Sequence, residues 1–146
     1  MANFVFNVGL GRIAEIVSDG ANLGLLVLQA AGTDAAHKDV ATVQALLGLA
    51  ATTEATFTNY ARKAPLAGVA VTIDNATDSV RVDATDVVFT AAGGAVNNTT
   101  TDVVIYEDVG GADSTRRPLV QLDAVFTTDG NDVTLQFHAD GFWGAS

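Results

Sequence analysis

Gly9-Leu10-Gly11-Arg12-Ile13-Ala14 has the G-x-G-x-x-G/A spacing that lets a pyrophosphate approach a helix N-terminus, and it follows the strand-like run Phe4 to Val8. A dinucleotide fold would continue as alternating strands and helices, whereas everything after Ala51 reads as strand. The motif therefore reads as a simple strand-to-helix turn. Asp74, Asp78, Asp83 and Asp86 crowd one stretch and Asp129 and Asp132 flank another, which offers oxygen ligands to a hard cation. The D-x-[DN]-x-[DN]-G register of a calcium loop is absent, and Asp at strand ends commonly bonds its own backbone. The imidazoles are His37 and His138, with no metal-ligand spacing and no Ser-His-Asp set identifiable around them. Nothing singles out a carboxylate pair for glycoside hydrolysis. Zero cysteines exclude thiolate nucleophiles, thiolate metal sites and disulfides. The expectation is a chain without enzymatic activity, with no catalytic or metal-ligating residue and no cofactor.

The remaining conspicuous residues suit contact. Phe142-Trp143 stands close to the end of the chain, where two large aromatics must cover something: the domain's own core, or a pocket in a neighbouring subunit. Phe4 and Phe6 are the matching pair at the start. Arg62-Lys63 and Arg116-Arg117 are the basic pairs of an acidic protein, read either as solvated strand ends or as contacts to an acidic partner surface. These eight residues, Phe4, Phe6, Arg62, Lys63, Arg116, Arg117, Phe142 and Trp143, form the candidate partner-binding set.

The frame that must position them is one domain, residues 1–146, since 146 residues with 49% apolar composition can bury a sizeable core unaided. A formal net charge of −10 repels phosphate backbones, so nucleic acid is not an expected partner. The longest nearly apolar stretches, Leu23 to Ala31 and Val43 to Ala51, are about half of the ~18 residues a membrane span requires. The opening residues lack the basic region of a secretory signal, so the expectation is a soluble chain with no membrane partner, made without an export signal.

Periodicity divides the chain near Ala51. Before it, Leu10, Ile13, Ile16 and Val17 recur at helical spacing up to Ser18-Asp19-Gly20, and Leu23 to Ala30 suits a strand buried on both faces. Asp39 is placed as the N-cap of a second helix with Val40, Val43, Leu46 and Leu47 on one face, ending near Gly48. After Ala51, strands are predicted at Ala55 to Lys63, Gly68 to Ile73, Ser79 to Val82, Asp86 to Thr90, Asp102 to Glu107, Leu119 to Phe126 and Asp132 to His138. Asp129-Gly130 is predicted as a two-residue hairpin turn joining the last two, with Val120, Leu122, Ala124 and Phe126 on one strand and Val133, Leu135 and Phe137 on the other forming the inner face. Ala91 to Thr101 and Val109 to Arg117 read as mobile surface loops. The fold class is mainly β, a β-sandwich-like single domain with two short helices in the N-terminal third.

The chain resembles the small virion structural proteins of tailed phages that infect actinobacteria. The residues that carry the resemblance are Met1-Ala2-Asn3-Phe4-Val5-Phe6-Asn7 with Gly11-Arg12, then Glu54-Ala55-Thr56 with Asn59-Tyr60-Ala61-Arg62-Lys63, and finally Thr128-Asp129-Gly130 with Gly141-Phe142-Trp143-Gly144-Ala145-Ser146. The resemblance implies a capsid decoration or minor capsid protein, made in the host cytoplasm and placed on the capsid exterior. Its partners would be the major capsid protein and other copies of itself, as a homo-oligomer. A tail or tail-fibre component is the alternative, and a glycan-binding or glycan-hydrolysing virion module the third.

Overall fold

In the computed structural model, residues 3–6, 22–77 and 79–145 are described. The glycine motif at Gly9 to Ala14 and the helix predicted from Leu10 to Val17 lie outside them. Of the described residues, 36% are strand and 8% helix, in antiparallel sheets with two short helices. The central sheet has the order β1-β8-β7-β2-β3, with β1 Phe4–Val5, β2 Leu23–Ala30, β3 Thr53–Glu54, β7 Asp102–Glu107 and β8 Arg117–Asp123. A three-stranded sheet joins β10 Trp143–Ala145, β5 Ser79–Asp83 and β4 Ala70–Asp74, and a two-stranded one pairs β6 Val87–Phe89 with β9 Val133–Leu135.

The apolar runs of β2 and β7 follow from burial on both faces, since these strands lie at the middle of the central sheet. Leu23, Leu25, Val27, Val103 and Ile105 face one core, which Phe57, Leu66, Val87 and Phe89 complete. The alternate residues Leu26, Leu28, Val104 and Tyr106 face a second core with Phe4, Phe6, Val40, Val43 and Leu46. The helices α1 Asp34–Lys38 and α2 Val43–Leu47 cover that second face.

Four local expectations are corrected. Asp39 is the C-cap of α1 and not an N-cap; Thr42 caps α2, accepting from the Ala45 N–H at 3.1 Å. The strand predicted over Ala55 to Lys63 does not form: β3 ends at Glu54, just before that span, and within it Lys63 alone makes an isolated bridge, to Leu25. In between, the chain turns to bury Phe57 against Tyr60 and Phe89. Asp129-Gly130 does not close a hairpin, because β8 pairs with β1 and β7 while β9 pairs with β6. The inner faces were read correctly: Leu122, Ala124, Phe126, Val133, Leu135 and Phe137 all pack on one core. The same alternation is satisfied by two strands in different sheets that share a core. Finally, the 91–101 loop is tied down, with Ala92 and Thr100 buried and Asn98 accepting from the Thr56 N–H at 2.6 Å.

Candidate interaction surface

The first aromatic pair is internal. Phe6 is 0% exposed and Phe4 9%, with ring centroids 5.3 Å apart and Lys38 Nζ 5.1 Å over the Phe4 ring. Of the two readings given for these rings, the structure shows them packed in the second core, with Phe4 also reaching the edge of a groove. The physical reason is strand pairing: β1 adds to the edge of β8 through Phe4↔Gln121 and Val5↔Val120, which places both rings in the second core.

Arg62 and Arg116 are also held in ion pairs within the chain. Arg62 binds Glu54 through Nε–Oε1 at 2.6 Å and Nη2–Oε2 at 2.7 Å, and Asp113 through Nη1–Oδ1 at 2.6 Å and Nη2–Oδ2 at 2.9 Å. Arg116 meets Asp108 at 2.9 Å and Asp113 at 3.0 Å. Both guanidiniums stack on Tyr106, at 6.0 and 5.7 Å from its ring centroid. The Tyr60 hydroxyl donates to Glu54 at 2.7 Å and accepts from the Val27 N–H at 3.0 Å. Burial, followed by the Glu54 charge, pushes the Tyr60 phenol well above its usual range. Hydrogen bonds from Arg62 hold the Asp113 carboxyl below the usual carboxylate range. Lys63 is half-buried, its Nζ 4.8 Å over the Phe89 ring. Arg117 is the most exposed of the four, 45% accessible beside the buried Glu107 at 3.4 Å.

This network has an acid signature. Because the folded pKa of Asp113 is lowered, its contribution to stability is complete above the unfolded value of 3.8 and is lost as pH falls through the lower folded value. Arg62→Met removes the main cause of that shift. The variant is expected to unfold at higher pH on acid titration than the wild type, with a shallower loss of stability below about pH 4; superimposable acid limbs would contradict the assignment.

The second aromatic pair is half-buried and sits in a groove. Gly141, at φ +84, passes so close to the Val82 carbonyl that any Cβ there would collide with it, and the Phe142 N–H then donates to that carbonyl at 3.0 Å. Trp143 pairs with Val82 in the three-stranded sheet. A groove of about 420 Å³ brings Phe142 and Trp143 together with Phe4, Phe137, Asn3 and Gln136. Of the candidate set, then, Phe4, Phe142 and Trp143 meet at one place; the basic residues do not join them there.

The remaining polar residues serve the fold. His37 is fully buried: its Nε2 accepts from the Gly32 N–H at 3.2 Å and lies 2.8 Å from Thr52 Oγ1. That acceptor role places the ring proton on Nδ1, which donates to Gln121 Oε1 at 2.8 Å; Gln121 Nε2 donates in turn to Asp102 at 3.0 Å. Asp74, Asp86, Asp129 and Asp132 each accept a backbone N–H, from Ala76, Phe137, Asn131 and Ala91 respectively. Among the described residues, no group of three or more His, Asp or Glu side chains is placed to hold a metal ion, and no helix is long and apolar enough to cross a membrane.

Sequence reasoning missed the exposure of β4. The strand itself was expected, but Val69 and Val71 are each 37% exposed and Ile73 68%. A Val-Ala-Val-Thr-Ile alternation reads the same whether the chain's own core or a partner covers it. No family model, curated protein or solved structure matches the chain.

Proposed function

We propose that the chain is a structural protein of a tailed-phage virion, of the capsid decoration or minor capsid kind, that binds the outside of the head shell. The observation that carries this reading is how its side chains are distributed. His37, Arg62 and Arg116, the groups best suited to chemistry or to an ionic partner, are engaged within the chain, while apolar side chains at Val69, Val71 and Ile73 are left exposed on and just before the edge strand β4. Surface of that kind gains free energy when another macromolecule covers it. The motifs at both ends and at Glu54 to Lys63 support placing that macromolecule in a phage particle. Bound across joints between shell subunits, the protein stabilises the closed particle by mass action.

Mass spectrometry of gradient-purified particles tests the reading. The expected result is this chain in a fixed ratio to the major capsid protein, retained in heads separated from tails. Retention only with tails would replace the reading with the tail-component alternative. Recovery only in the soluble lysate would overturn both.

A further inference from the structure

We propose that residues 108–116, the connection from β7 to β8, are a latched strap: the ion pair from Arg62 to Asp113 holds it against the first turn of α2, and the two release together while the central sheet stays folded. The inference needs only the chain itself and does not rest on the virion reading. The N–H groups of a helix's first turn have no acceptor within the helix. In α2 they belong to Val43, Gln44 and Ala45, and the Ala45 N–H is taken by the Thr42 hydroxyl at the N-cap. The other two cross to the strap: the Val43 N–H donates to the Arg116 carbonyl at 2.9 Å, and the Gln44 N–H to the Asp113 carbonyl at 3.1 Å. The start of α2 is therefore completed by a loop from a distant part of the sequence, and it lasts only while that loop is held in place.

Arg62 supplies the hold. Among the described residues it is the one side chain outside the strap that hydrogen-bonds to it, meeting both Asp113 oxygens while it also binds Glu54 at the end of β3. Asp113 carries this ion pair on its side chain and a helix contact on its carbonyl. Moving it away from Arg62 therefore withdraws a cap from α2 as well. Arg116 has the same double role, with its guanidinium on Asp108 and Asp113 and its carbonyl on Val43. The tip of the strap is tied to itself and not to the sheet: the Thr115 hydroxyl donates to the Ala112 carbonyl at 2.8 Å, and Gly110 sits at φ +76, where a Cβ would meet nothing within 4 Å. The Arg62 and Asp113 side chains are 20% and 27% exposed, so dissolved ions reach the latch and weaken it. Opening uncovers one face of the Tyr106 ring, on which Arg116 stacks in the latched state.

Amide hydrogen exchange of the full chain tests this, because the Val43 and Gln44 amides report the strap and the β7 amides report the central sheet. Asp113→Asn keeps the shape of the side chain and removes its charge. In that variant Val43 and Gln44 are expected to exchange about tenfold faster, both by a similar factor, with β7 unchanged. A second measurement needs no substitution: in the wild type, raising NaCl from about 0.05 M to about 1 M should speed exchange of the same two amides relative to β7, and the effect should be smaller in Asp113→Asn. Unchanged exchange at Val43 and Gln44 in Asp113→Asn would overturn the proposal, because the ion pair would then not hold the helix. An equal rise in β7 would also overturn it, since the segment would not open as a separate unit, as would wild-type Val43 and Gln44 amides indifferent to salt.

Discussion

A His37→Ala variant is expected to melt about 10 °C or more below the wild type. The ring is the middle of a buried chain, with Thr52 and the Gly32 N–H on one nitrogen and Gln121 on the other. Its removal leaves two buried polar groups, on Thr52 and Gln121, without that partner, each costing ~1–3 kcal/mol, and opens a cavity beside Phe4, whose ring centroid lies 6.5 Å away. A loss of roughly 3–5 kcal/mol corresponds to that shift at ~2–4 °C per kcal/mol for a chain of this size. Thr52→Val removes one hydroxyl and is expected to cost about 1 kcal/mol. Thermal melts of the two variants against wild type decide it. A His37→Ala melt within a few degrees of wild type would mean that the buried chain contributes little.

The second large effect is at Gly24. This residue pairs with Tyr106 across β2 and β7, and a Cβ on it would fall within 2.7 Å of Tyr106 Cε2, deep inside van der Waals contact. The ring cannot retreat freely, because it is 1% exposed and the Arg62 and Arg116 guanidiniums stack on it. Gly24→Ala should therefore cost about 3 kcal/mol, at the upper end for overpacking by one methyl. In a Tyr106→Ala background the same substitution should cost far less, giving a coupling of about 2 kcal/mol in a double-mutant cycle. Equal costs in both backgrounds would show that the ring is not what excludes a side chain from this position.

What could be read in advance was the set of faces, not the pairing. Leu23 to Ala30 and Asp102 to Glu107 were placed with the observed bounds, because a strand buried on both sides is a continuous apolar run that few other elements imitate. The strands around Leu122 and Leu135 were assigned their inner faces correctly and their partner wrongly. Side-chain alternation reports which residues face a core and is blind to whether two strands lie side by side or across that core. α1 escaped notice because its buried residue is His37, and a five-residue helix with one polar core residue has no apolar stripe. Arg62 and Arg116 were recognised as unusual, but their partners Glu54, Asp108 and Asp113 are brought together only by the folded sheet. For Phe4 and Phe6 the choice between core and anchor stayed open, because their position near the start of the chain gives no hint that β8 has an edge for them to fill.

The central claim is that this chain works by covering and being covered on the surface of a phage head. Cryo-electron microscopy of intact particles tests it most directly. The account predicts density that fits this fold at regular lattice positions on the outside of the shell, lying over joints between shell subunits. Density confined to the tail, or particles with no density for the chain, would contradict it.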